Sequence, residues 1–74
     1  MAADENITKR LRLAINYGIE KKETNLKGAA LAIGINYTTL RNYYTGKTDP
    51  PATALKKICS WTRIKPEYIL YGRK

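Results

Sequence analysis

The stretch from Asn25 to Gly46 constrains this 74-residue chain more than any other. Thr24 or Asn25 can cap a helix over about Leu26 to Ile33, because a short polar side chain satisfies the free N–H groups of the first turn. Ala29, Ala30 and Ile33 form its inner face. Gly28 is a poor helix residue, placed either at an exposed position of no consequence or where another backbone comes close. Gly34 ends the helix and permits the positive φ of a sharp turn. Ile35 plugs that turn into a core. Asn36 caps the next helix, from about Tyr37 to Tyr44, with Leu40 and Tyr43 inward at i and i+3. Gly46 closes it.

The flanking segments read as further helices built around this pair. Ile7, Leu11, Ala14, Ile15 and Gly18 recur on one helical face, with Asp4 or Asn6 as cap and Gly18 as exit. Residues 1 to 3 read as a disordered start. Glu20 to Asn25 is polar and reads as a loop. Asp49 is placed to cap a fourth helix with Pro50 in its first position, where the missing N–H does no harm. Ala54, Leu55, Ile58 and Thr62 share a face of that helix. Lys65-Pro66-Glu67 opens a short fifth helix through Tyr71, ending near Gly72. No strand signal of useful length, internal repeat or low-complexity segment is present. The expectation is one domain over 1–74, an all-α compact bundle of five helices.

Composition narrows the function classes. A chain this short buries only about 60 % of its unfolded surface, so stability leans on good helix packing or dimerisation. Fourteen Lys and Arg face six Asp and Glu, a net charge of +8. That excess points to a polyanionic partner, nucleic acid first and an anionic membrane surface second. One cysteine allows no internal disulfide and fits a reducing cytoplasm. No apolar run approaches the ~20 residues a membrane span needs, and the opening residues hold no apolar signal core. With no His and a single Cys, neither a usual zinc site nor a Ser-His or Cys-His nucleophile pair can be assembled. No enzyme, cofactor, metal or small-molecule ligand is expected.

The Asn25–Gly46 pattern matches what a helix-turn-helix requires. Ala30 is small where the two helices cross, and Gly34 follows four positions later in the turn. Ile33, Ile35, Leu40 and Tyr43 supply apolar residues in register. An ordinary helix hairpin with a glycine turn is the plainer alternative. In the helix-turn-helix reading, Tyr37, Thr38, Arg41 and Asn42 face outward to read bases. Arg can pair with guanine O6 and N7, Asn with adenine N6 and N7, and a Thr methyl can touch a thymine methyl. Tyr44, Thr45, Lys47 and Thr48 follow as phosphate contacts, by hydroxyl, ammonium and backbone N–H groups. Asn36 and Lys27 add to them, Lys27 at a helix N-terminus suited to anions. No acid occurs between Tyr37 and Thr48. Lys56 and Lys57 read as solvated surface.

These residues resemble the lambda-repressor-like DNA-binding domains, above all phage repressors and Cro-type proteins. Arg10-Leu11 is similar to the family's Arg-Leu pair, and Ala29-Ala30 through Gly34-Ile35 to its Leu-Ala…Gly-Ile core. Tyr43-Tyr44-Thr45-Gly46-Lys47 resembles the exit of its recognition helix, and Asp49-Pro50 with Leu55 and Ile58 its fourth helix. Ile64 to Gly72 resembles its Val-Ser-Pro-Glu-Trp-Leu-Leu-x-Gly ending. The resemblance implies docking of the third helix in the major groove.

Three positions depart from that pattern. Leu26 stands where the family often has a phosphate-bracing Gln. Tyr44 stands where a Glu often pairs with the first-helix Arg, which leaves Arg10 to stack on an aromatic ring. Arg63 stands where a Gly usually ends the fourth helix.

The leading expectation is a transcription regulator, a phage or prophage-type repressor. It would bind a palindromic double-stranded DNA operator as a homodimer. Trp61, Tyr68 and Tyr71 are the candidate dimer residues, with core completion as the plainer role. Ile69 leans to the core and Cys59 reads as a small core residue. The alternative function is a protein-interaction module, an antirepressor or adaptor on the same fold. Non-specific coating of DNA or RNA is a third reading.

Overall fold

The computed structural model describes residues 5–72. Among them the chain forms α1 (Glu5–Lys21), α2 (Leu26–Ile33), α3 (Tyr37–Thr45), α4 (Ala52–Thr62) and α5 (Pro66–Tyr71), with no strand. The all-α bundle of five helices expected from the periodicity is what the chain forms. The expected disorder of residues 1–3 and the cap at Asp4 fall outside the described residues.

α1 is the hub, since the other four helices all pack on it. Leu11 and Ile15 of α1 meet Leu40 of α3, Ile58 of α4 and Ile69 of α5, and all five are fully buried. Ala29 and Ala30, also buried, let α2 sit close in. Thr62, on the apolar face of α4, is buried with its hydroxyl donating to the Ile58 carbonyl at 3.0 Å. No described helix is long and apolar enough to cross a membrane.

Two boundaries differ from the sequence expectation, each for a local reason. α1 does not stop at Gly18 but continues to Lys21, so Glu20 and Lys21 are helical rather than loop. Gly18 instead provides a close approach: a Cβ there would fall 2.5 Å from Trp61 Cζ3. The left-handed residue after the helix is Glu23 (φ 51), and the Thr24 N–H bonds back to the Ile19 carbonyl at 3.0 Å. Asn6, inside α1, is therefore not its cap.

α4 begins at Ala52, with Pro51 as cap and no side-chain cap bond, rather than at Pro50 behind Asp49. The reason is the Pro50-Pro51 pair. A residue before proline is pushed out of the α region, so Pro50 cannot be helical.

Candidate nucleic-acid interface

α2 and α3 are built by their caps as the sequence dictates. The Asn25 side chain accepts from the Gly28 N–H at 2.8 Å, and Asn36 accepts from the Thr38 N–H at 2.9 Å. Between them Gly34 takes φ 87, and the Gly34 and Ile35 N–H groups both reach the Ala30 carbonyl. The neighbour that fills the space beside Gly28 is the Thr24 side chain, not another backbone. Leu40 and Tyr43 are buried, so α3 is fixed to the core by one face only.

The opposite face of α3 is open. Tyr37, Thr38 and Arg41 are exposed and Asn42 is half-buried. The Arg41 guanidinium has no partner among the described residues. Thr45 shares this face, one turn beyond Arg41 and two beyond Thr38, which places it beside the four base-reading candidates rather than after them. Tyr37 also lines a mainly apolar concavity between α2 and α3, together with Asn25, Lys27, Leu31 and Asn36.

The expected phosphate contacts divide into two groups. Lys27 and Lys47 are exposed, as are Asn36 and Thr48. Asn36 caps α3 with its oxygen, which leaves its amide N–H groups to donate.

Other donors are already engaged inside the protein, contrary to expectation. The Tyr44 hydroxyl donates to Asn16 Oδ1 at 2.7 Å, and the Thr45 hydroxyl to the Arg41 carbonyl at 2.9 Å. The backbone N–H groups of Gly46, Lys47 and Thr48 all turn back onto the end of α3, to Asn42 or Tyr43. A helix end must satisfy its last carbonyls, and here the loop does so. The loop therefore offers the Lys47 and Thr48 side chains, not its N–H groups.

The ring stacking expected of Arg10 falls to Arg12 instead. Arg10 does not stack on a ring. Its Nε donates to the Ile69 carbonyl at 2.8 Å and an Nη to the Leu70 carbonyl at 2.9 Å, which ties α1 to the end of α5. Arg12 lies over the Tyr44 ring, 5.4 Å from its centroid, and its Nε donates to the Tyr44 carbonyl at 3.1 Å. A cation thus sits on the negative end of α3. Arg12 and Asn16 are four residues apart on one face of α1, and that spacing was the available signal.

Comparison with protein-family models, with curated proteins and with solved structures found no match.

The aromatic residues expected to dimerise do not form one patch. Trp61 is half-buried against Gly18, with Lys22 Nζ 5.2 Å from its ring centroid. Tyr71 is 69 % exposed at the end of α5, next to Gly72, and Gly72 lies beside Arg10. Arg10 and Gly18 are eight residues apart, about 12 Å along α1, so Trp61 is remote from Tyr71. Tyr68 is half-buried against the core. Among these three, Tyr71 is the side chain most available to a partner. Cys59 is buried, and Ile69 is fully buried. Burial pushes the Cys59 thiol pKa above its ordinary value of 9.0, and nearby Glu67 adds to the shift.

Proposed function

We propose that this chain is a sequence-specific, DNA-binding transcription regulator of the lambda-repressor-like helix-turn-helix type. It acts as a phage or prophage-type repressor in the cytoplasm of its host cell. α2 and α3 form the helix-turn-helix, and α3 enters the major groove of a palindromic operator. The observation that carries the reading is the open face of α3, where Arg41, with no partner among the described residues, stands beside Thr38 and Asn42. α3 has nine residues, about 13 Å of helix, and a B-DNA major groove is about 12 Å wide. Exposed Lys27 and Lys47 lie before and after it, with no acid between Tyr37 and Thr48.

Each role follows from the donors that remain free. Arg41 reads a guanine edge, and Asn42, Thr38 and Tyr37 read the neighbouring pairs. Lys27, Asn36, Lys47 and Thr48 hold phosphates and set the register. Tyr44 braces α1 through Asn16 and reaches phosphate only if that bond opens. Occupancy of the operator blocks or repositions RNA polymerase.

Sequences selected from random duplexes, against non-specific competitor at physiological salt, supply the site for the test. Arg41→Ala should weaken binding to that site by about 1–3 kcal/mol and relax preference at one base pair. Lys27→Ala and Lys47→Ala should weaken all duplexes alike and each lower the salt slope by about 1. Unchanged affinity in both Arg41→Ala and Asn42→Ala would overturn groove reading and favour an interaction module on this fold.

A further inference from the structure

The molecule carries a second cationic surface that DNA reading through α3 does not use. It is a groove of about 620 Å³ whose lining includes Lys22, Ile33, Lys56, Lys57, Trp61 and Arg63. These residues come from the ends of α1 and α2 and from α4, and α3 contributes none. A smaller neighbouring hollow, also lined by Trp61, adds Lys21 and Tyr17. No carboxylate lines either hollow among the described residues.

Helix C-termini attract cations, and that accounts for Lys22 and Arg63. It does not account for Lys56 and Lys57, which are exposed in the middle of α4. The groove also has an apolar floor, made by Ile33, Ala32 and the edge of Trp61. Arg63 reaches it from a left-handed backbone position (φ 63) that a glycine would hold with less strain.

The floor and the rim together select the occupant. Trp61 packs against Gly18 and has the Lys22 ammonium 5.2 Å from its ring centroid, so a base stacking on that ring would have to displace a cation. A duplex backbone would set charged phosphate oxygens against the apolar floor. A peptide with an apolar side chain flanked by carboxylates matches both parts. We propose that this groove docks a short acidic segment of a partner protein, its apolar residue against Ile33 and Trp61 and its carboxylates on Lys56, Lys57 and Arg63. The groove lies away from α3, so this docking does not depend on the DNA-binding reading.

Trp61 is the chain's single tryptophan and reports on the groove directly. The probe is a synthetic twelve-residue peptide of Glu and Asp with two central leucines, titrated into the full chain. Trp61 emission should change saturably. Lys56→Glu with Lys57→Glu should weaken the peptide at least tenfold. Lys27→Glu with Lys47→Glu, of the same net charge, should hold it within threefold. All four lysines are exposed, and far-UV circular dichroism checks that both variants remain helical. With the peptides, three outcomes overturn the proposal: no saturable change, equal losses in the two double variants, or undiminished binding of a peptide with serines for leucines. A duplex or an anionic vesicle giving a Trp61 response that only Lys56→Glu/Lys57→Glu abolishes would also overturn it, reassigning the groove to phosphate.

Discussion

Gly34 and Arg63 hold the same left-handed conformation at the ends of α2 and α4, with φ 87 and φ 63. Each N–H caps the carbonyl four residues back, Ala30 and Cys59 respectively. Only Gly34 lacks the Cβ penalty that this conformation imposes. Apart from its chain neighbours, no described residue comes within 4 Å of where a Gly34 Cβ would stand, so Gly34→Ala meets no clash there. Its cost is conformational, about 1 kcal/mol after the lower unfolded-chain entropy of Ala is set against it. A lower urea midpoint with an unchanged slope should show this. Cys59 makes a separate prediction. Its raised pKa means that the folded state keeps the thiol proton where the unfolded chain begins to lose it, near pH 9.0. The stability from this group is therefore complete below that pH and declines as pH rises above it. Cys59→Ala should flatten that part of the stability–pH curve. At neutral pH, alkylation of native Cys59 should be far slower than in urea.

Helix-level features were legible wherever the signal was local. Asn25, Gly34, Asn36 and Gly46 act on their own backbones; the last three stand at the cap positions assigned to them, and Asn25 is the cap of the two residues offered for α2. Gly18 and Pro50 misled because their fates depend on neighbours. Gly18 is buried under a tryptophan 43 positions later, and Pro50 is governed by the next proline. The site divides the same way. Exposure of Tyr37, Thr38 and Arg41 follows from helical period, whereas the engagement of Tyr44 by Asn16 needs the α1–α3 packing. Arg10 joins helices separated by 59 positions, which no local pattern reveals. Arg10→Ala should cost about 1–3 kcal/mol, from the loss of charge-assisted bonds to two carbonyls at the end of α5. Arg10→Lys should recover only part, since an ammonium lacks the planar fork. Hydrogen exchange should rise first in α5, ahead of α2 and α3.

The described residues span 28 × 27 × 19 Å. Successive major-groove faces recur about 34–36 Å apart. One copy, with one α3, is too short to read two of them. In the proposed function two copies must therefore bind, and affinity should depend steeply on half-site spacing. Inserting five base pairs between half-sites, half a helical turn, should abolish cooperative binding in a gel-shift titration, while ten should restore part of it. Tyr71, exposed at the end of α5, is the residue whose change to Arg should weaken that cooperativity without unfolding the monomer. The Arg10 contact bears on this last helix in another way. Arg10 grips main-chain oxygens of Ile69 and Leu70, and only Ile69 of α5 is a fully buried side chain. Every peptide unit carries the same oxygen, so the clasp is indifferent to the outward residues of α5. That end of the chain behaves as an interchangeable fitting. Its outer surface can be rewritten, and with it the choice of pairing partner, while the seat on α1 stays the same.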